Sequence, residues 1–142
     1  MMANVPSPQA MARIHSAAFA QSRPWTEEEF AALLDSPLIF ASGDTRCFAL
    51  VRVIADEAEL LTIATDPASQ RQGLARAVMQ SWQAQAQSRG ARFCFLEVAA
   101  DNSAAIDLYR SEGFAPCGRR LGYYQRRNAA SVDAIVMQRE LP

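Results

Sequence analysis

Residues 60–75 read LLTIATDPASQRQGLA, a succession of buried strand, Pro-containing turn, polar loop and helix start. Leu60, Leu61, Ile63 and Ala64, with Thr62 and Thr65, suit a strand covered on both faces. Asp66-Pro67 ends it, because Pro67 has no N–H to donate and disfavours helix at the residue before it. Gln70-Arg71-Gln72-Gly73-Leu74-Ala75 then places a glycine and a small residue where a helix begins. The first N–H groups of a helix lack intrahelical partners and lie at the positive end of its dipole, so the junction is an anion site made of backbone.

Two common phosphate loops are excluded. A Walker loop needs G-x-x-x-x-G-K-[ST], and all 14 basic residues of this chain are arginine. A dinucleotide fingerprint needs G-x-G-x-x-G, and the loop holds Gly73 alone. What remains is Q-x-x-G-x-A between a strand and a long helix.

A chain of 142 residues has the size of one domain and buries about 68% of its unfolded surface. With 50% hydrophobic and 20% charged residues it falls among globular rather than disordered chains. No apolar run approaches the roughly 18 residues of a membrane span, and the N-terminus lacks a basic region followed by an apolar core, so a cytosolic protein is expected. Cys47, Cys94 and Cys117 are far apart, with neither metal-ligand nor redox spacing, and are expected to be reduced core residues. No metal site is expected. Residues 1–70 carry four Arg against nine acids, and residues 71–142 ten Arg against six acids. The second part therefore suits an anionic cofactor and the first a cationic partner, or both are simply solvated faces.

Residues 7–19 form a first helix, with Ser7 as cap, Pro8 at its first position and Met11, Ile14 and Ala18 on one face. His15, the only histidine, is expected to be a surface or packing residue. Thr26-Glu27-Glu28-Glu29 is a capping box that opens a second, short helix containing Phe30, Leu33 and Leu34. Three strands, 39–41, 47–55 and 58–65, form an antiparallel meander. Leu74, Val78, Met79, Trp82 and Ala86 stripe a helix over 73–89 that Gly90 stops. A strand over 92–98, a helix over 102–112 capped by Asn102 or Asp101 and ended by Gly113, and strands over 114–121 and 134–140 complete the chain. The polar stretch 123–133 joins the last two. This is an α/β plan in which the crossover helix makes the strands beginning at Ala58 and Arg92 parallel neighbours. The loop at Gln70 to Gly73 then lies at the carboxyl ends of that pair, where open α/β sheets bind ligands.

The loop Q-x-x-G-x-A resembles the pyrophosphate loop of the GNAT N-acetyltransferases. Leu96-Glu97-Val98, followed by Asn102-Ser103-Ala104-Ala105-Ile106-Asp107-Leu108-Tyr109 and Gly113-Phe114, is similar to their N-x-x-A-x-x-L-Y-x-x-x-G-F signature. Residues 59–73, the pair Tyr123-Tyr124, Asp133-Ala134-Ile135 and Pro24-Trp25 followed by Phe30 resemble the ribosomal-protein-alanine N-acetyltransferase group within that family. The likeness runs from Met11 onward.

The resemblance implies a mixed α/β sheet of six to seven strands with four helices, the acyl-CoA N-acyltransferase fold. It implies acetyl-CoA wedged between the two parallel strands, its pantetheine paired with backbone at Ile63, Ala64 and Thr65. The pyrophosphate would sit on Arg71, Gln72, Gly73, Leu74, Ala75 and Arg76, and Asn102 would bind the pantetheine arm. The acceptor amine would attack the thioester directly, with Glu97 as general base and Tyr109 as general acid beside the cofactor. Trp25, Tyr123 and Tyr124 would meet the acceptor.

The residues bear on these roles independently. Glu97 shares a strand face with Phe93 and Phe95, and partial desolvation suits a base that takes a proton near pH 7; the competing reading is a Glu paired with an Arg. A phenol is a weaker acid than a thiol, so full proton transfer from Tyr109 to a thiolate runs uphill by about 2 kcal/mol. Hydrogen bonding to the thiolate is an equal candidate, and packing beside Ile106 a third. Ala75 stands where the group more often has glycine, Thr62 where Asn is frequent and Ala99 where a basic residue is common. The pair Arg126-Arg127 also departs from the group and reads as solvated charge.

These implications define an acetyl-CoA-dependent enzyme that acetylates a protein N-terminal α-amine, that of a small-subunit ribosomal protein, with no direct nucleic-acid or membrane partner. Beside it stand acetylation of a small amine or a lysine side chain, and a non-catalytic CoA-binding module.

Overall fold

The chain, described by a computed structural model over residues 5–19, 23–126 and 129–142, begins with two helices whose ends follow from local capping. In α1 (Pro8–Ala18) the Ser7 hydroxyl accepts the Ala10 N–H. In α2 (Glu27–Leu34) Thr26 and Glu29 form the reciprocal capping box. Each such cap is worth about 1 kcal/mol by satisfying helix-start donors. Met11, Ile14 and Phe30 pack with Phe48, Leu50 and Ala64 on one face of the sheet.

The expected meander is present as β1 (Ile39–Gly43), β2 (Cys47–Ile54) and β3 (Glu57–Thr65), paired antiparallel in sequence. A short 3-10 turn at Pro67–Ser69 leads to α3 (Leu74–Ser88), which the left-handed Gly90 follows. Val78, Met79, Trp82 and Ala86 of α3 cover the opposite face, against Ala49, Val51, Cys94 and Leu96. The crossover returns to β4 (Phe93–Ala99), parallel to β3, and Asn102 caps α4 (Ser103–Ser111). β5 (Ala115–Arg126) and β6 (Ala129–Glu140) close a mixed six-stranded sheet of order β1-β2-β3-β4-β6-β5, with four α-helices among the described residues, as expected.

Two expectations are corrected. The polar stretch 123–133 lies mostly in strand, because β5 and β6 continue into a long antiparallel ribbon. Tyr124 and Arg126 turn inward between exposed Tyr123 and Gln125, but the residue types Tyr-Tyr-Gln-Arg do not spell that alternation. Cys117 is exposed on β5, whereas Cys47 and Cys94 are buried.

The feature that positions the site is where β3 and β4 part. They pair from Glu57↔Phe93 to Glu59↔Phe95 and no further. Beyond that point β3 stays on β2 as far as Thr65↔Cys47, and β4 stays on β6 as far as Ala99↔Ala134. Leu61 is the extra residue of a bulge, since Val51 pairs Leu60 and Leu50 pairs Thr62. A bulge bends and twists its strand. The gap is thus built by two strands each held on its outer edge.

Candidate active site

A cavity of about 400 Å³ occupies this gap. Leu60, Leu61, Thr62 and Ile63 line one side and Glu97, Val98 and Ala99 the other. Because the opening passes through the sheet, groups from both faces reach it. Glu97 lies on the face opposite Leu96 and Val98, which belong to the α3-side core, whereas Tyr109 packs within that core beside Phe114. Both side chains line the cavity, with Asn102 from the start of α4. His15, Trp25, Tyr123 and Tyr124 add aromatic walls from the other side. The expected catalytic pair and acceptor residues therefore meet in one place, and Thr62 and Ala99 flank them.

The Glu97 carboxylate is 19% exposed, and its Oε1 pairs with Arg120 Nε at 2.9 Å. The sequence expectation of an apolar setting beside Phe93 and Phe95 is corrected by this guanidinium. Arg120 also lies over the Tyr123 ring at 5.4 Å. Tyr109 is buried, and desolvation pushes its phenol well above the usual tyrosine range, with Tyr124 adding to the rise. Tyr124 is pushed up to about 12, by burial first and by the Glu97 charge second. Arg126 is not the solvated charge expected: its side chain is 11% exposed, pairs with Asp101 at 3.0 Å and lines the cavity. Arg127 lies outside the described residues.

At the loop, Gly73 is left-handed with φ 75° and Arg71, unusually for a side-chain residue, with φ 65°. Such residues close together gather backbone N–H groups into an anion-binding concavity. The helix that follows has no side-chain cap, whereas α1, α2 and α4 are capped by Ser7, Thr26 and Asn102. Its first donors are therefore left for a ligand. The Arg76 guanidinium is committed elsewhere, to Glu112 and the Ser111 hydroxyl at 2.9 Å each, so Arg76 offers this loop its backbone. Ile63 lines the cavity, Ala64 is buried, and the Thr65 hydroxyl bonds to Cys47 Sγ. Along 60–65 the β4-facing edge of β3 carries no strand partner, which suits pairing with an amide-containing chain. Asn102 spends its Oδ1 on the Ala105 N–H, leaving its amide N–H groups for the cavity.

His15 is 5% exposed, and burial pushes it down to about 4, overriding the opposing influence of Glu29. The unfolded chain takes up this proton near pH 6.5 and the folded chain only near 4, so folding gains stability above that window. The gain, up to about 3 kcal/mol, is complete above pH 6.5 and lost as pH falls towards 4. The urea midpoint is expected to fall across that range in the wild type and to stay flatter in His15→Phe; parallel curves would refute the assignment.

A strand-bound cleft through a mixed sheet, an uncapped helix after Q-x-x-G-x-A, and a carboxylate and a phenol that both line the cleft are the arrangement expected of an acyl-CoA N-acyltransferase. The model of the acetyltransferase (GNAT) family matches residues 9–114, and the chain belongs to that family as an acetyl-CoA-dependent N-acetyltransferase. It is 40% identical over 123 residues to the [ribosomal protein bS18]-alanine N-acetyltransferase of Escherichia coli (strain K12), covering 83% of this chain and 82% of the relative. It is 33% identical over 144 residues to the N-alpha-acetyltransferase RimI of Mycobacterium tuberculosis, covering 93% and 85%. The crystal structure of the Escherichia coli ribosomal-protein-S18-alanine N-acetyltransferase superposes with a TM-score of 0.86 at 35% identity, covering 98% of this chain and 94% of that one.

Proposed function

We propose that the protein acetylates the N-terminal α-amine of a cytoplasmic protein, with the N-terminal alanine of a small-subunit ribosomal protein as its acceptor. The observation that carries this reading is the cleft that opens through the sheet, with Glu97 reaching it from one face and Tyr109 from the other. Acetyl-CoA supplies an activated acyl group on a thiol leaving group. The uncapped start of α3 would hold its pyrophosphate on the N–H groups of residues 71–76, and the free edge of β3 at Ile63 to Thr65 would pair its pantetheine. Asn102 would meet the same arm. Glu97 would accept the ammonium proton of the acceptor, and Trp25, Tyr123 and Tyr124 would enclose its first residues. Incubation with acetyl-CoA and peptides beginning with alanine, read by mass, should show one acetyl group at the N-terminus. Acetylation confined to lysine side chains or small amines would overturn the reading.

Tyr109 is the better hydrogen-bond donor than proton donor. Burial has raised its phenol further above a thiol, so releasing the proton is more uphill than the sequence alone implied, while a neutral O–H aimed at a developing thiolate stabilises it. Tyr109→Phe keeps the packing on Phe114 and removes the hydroxyl. A kcat lower by about 10- to 1000-fold is expected, with acetyl-CoA affinity retained. Wild-type turnover in the folded variant would leave Tyr109 a packing role.

The acceptor's following residues should be basic. Glu29 is held by Arg23, but Glu27 and Glu28 stand exposed at the start of α2 next to Trp25. An Ala-Arg peptide should therefore show a higher kcat/KM than an Ala-Glu peptide, with the difference shrinking as salt screens exposed charges beyond about 8 Å. Equal values at low salt would remove the charge preference.

A further inference from the structure

His15 is a buried side chain of the cavity wall for which the transfer chemistry has no task. Its Nδ1 accepts the backbone N–H of Trp25 at 3.2 Å, joining α1 to the segment that turns into α2. A ring nitrogen that accepts an N–H carries no proton, so in the neutral imidazole the proton sits on Nε2. The same ring stacks on the Trp25 indole, centroids 5.1 Å apart and planes at 25°, and meets Phe30 edge-on. One side chain thus fixes both the backbone and the ring of Trp25.

The far side of this segment is tied to α2. Arg23 grips Glu29 through two bonds of 2.8 and 3.1 Å, and Glu29 Oε1 also accepts the Thr26 N–H. Trp25 lies before the helix cap, where no helical carbonyl reaches its N–H. If packing were the whole role, an apolar ring would serve without the penalty of burying a polar one. Removing the acceptor would leave a part-buried donor unsatisfied and let the indole leave the cavity wall.

We infer that His15 is a positioning residue for the acceptor: through Nδ1 it holds Trp25 against the cavity, so that the wall receiving the acceptor's first residues exists before the peptide arrives. This rests on the proposed acetylation of peptide N-termini with Trp25 on the acceptor side. Acetyl-CoA is proposed to lie at the start of α3, away from His15, so the effect falls on peptide binding. Preorganisation of this kind acts through affinity rather than through the chemical step.

Three variants separate the possibilities. His15→Phe keeps the ring and removes both nitrogens, His15→Asn places an amide oxygen near Nδ1, and His15→Gln places its amide near Nε2. In steady-state kinetics with a peptide beginning with alanine, Phe and Gln should raise the peptide KM about tenfold, with kcat and the acetyl-CoA KM within about twofold of wild type. Asn should recover most of the loss. Amide exchange at Trp25, measured without substrate, should be protected in wild type and Asn and fast in Phe and Gln. A wild-type peptide KM in folded His15→Phe, rescue by Gln but not Asn, or equal rises in both KM values would each overturn the proposal. Failure of the wild type to acetylate any N-terminal peptide would instead sink the functional reading, and the exchange measurement would still report on the His15–Trp25 bond.

Discussion

Glu97→Gln is expected to lower kcat about a hundredfold or more near pH 7 while leaving acetyl-CoA affinity unchanged. The substitution preserves the shape of the side chain, but it removes the charge that pairs with Arg120 and the site for a proton. An α-amine is largely an ammonium ion near neutrality and attacks only once deprotonated, so the loss should shrink at high pH, where solution supplies the free amine. Arg120 pairs with Oε1 at 2.9 Å, so the proposed proton transfer from the amine would use Oε2. The cofactor contacts proposed for the Gly73 loop, β3 and Asn102 do not involve Glu97, which is why affinity for acetyl-CoA separates catalysis from binding. Rates from pH 6 to 10, with CoA affinity measured in parallel, check this; an unaltered rate and pH profile would remove Glu97 from the chemistry.

The parts of this fold that were legible in sequence rest on short-range physics. Ser7, the Thr26–Glu29 box and Asn102 satisfy donors within three residues of themselves, and Gly90 adopts a left-handed turn that side chains resist, so helix ends could be placed from local spelling. Strand, crossover helix and strand sufficed to make β3 and β4 parallel. The family signature then brought Glu97, Tyr109 and Asn102 to one cleft. What escaped depends on partners remote in sequence. Arg120 reaches Glu97 across β6, which lies between their strands and follows both in the chain. The His15–Trp25 bond needs the angle between two helices, and neither residue shows it alone. Arg126, spelled like solvated charge, lines the cavity and pairs with Asp101, a partner 25 residues away in the chain. The splay of β3 from β4 is set by the Leu61 bulge and by pairing on the outer edges, none of which alternation of residue types records.

Gly73→Val is expected to weaken acetyl-CoA binding by about a hundredfold or more while the chain still folds. A Cβ added at Gly73 would meet no atom of the surrounding fold within 4 Å, so the new side chain begins in open space. Its direct effect is on the backbone, because φ 75° is a conformation that a β-branched residue resists by about 1–2 kcal/mol. That is small beside the stability of a typical domain, so the melting temperature should drop by a few degrees only. Binding suffers more, for two reasons that act together. The isopropyl group would project into the open space where the pyrophosphate is proposed to lie, and a shift of φ to negative values would rotate the adjoining N–H groups away from it. Gly73→Ala, with a smaller group and the same backbone preference, should fall between wild type and Val. S-acetylpantetheine lacks the pyrophosphate, so its turnover should be nearly the same in all three proteins, and that contrast assigns the loss to the phosphates rather than to a damaged cleft. Calorimetric titration with CoA is the direct measurement. A folded Val variant that binds CoA as tightly as wild type would move the pyrophosphate away from the start of α3, leaving the free edge of β3 as the anchor for the cofactor.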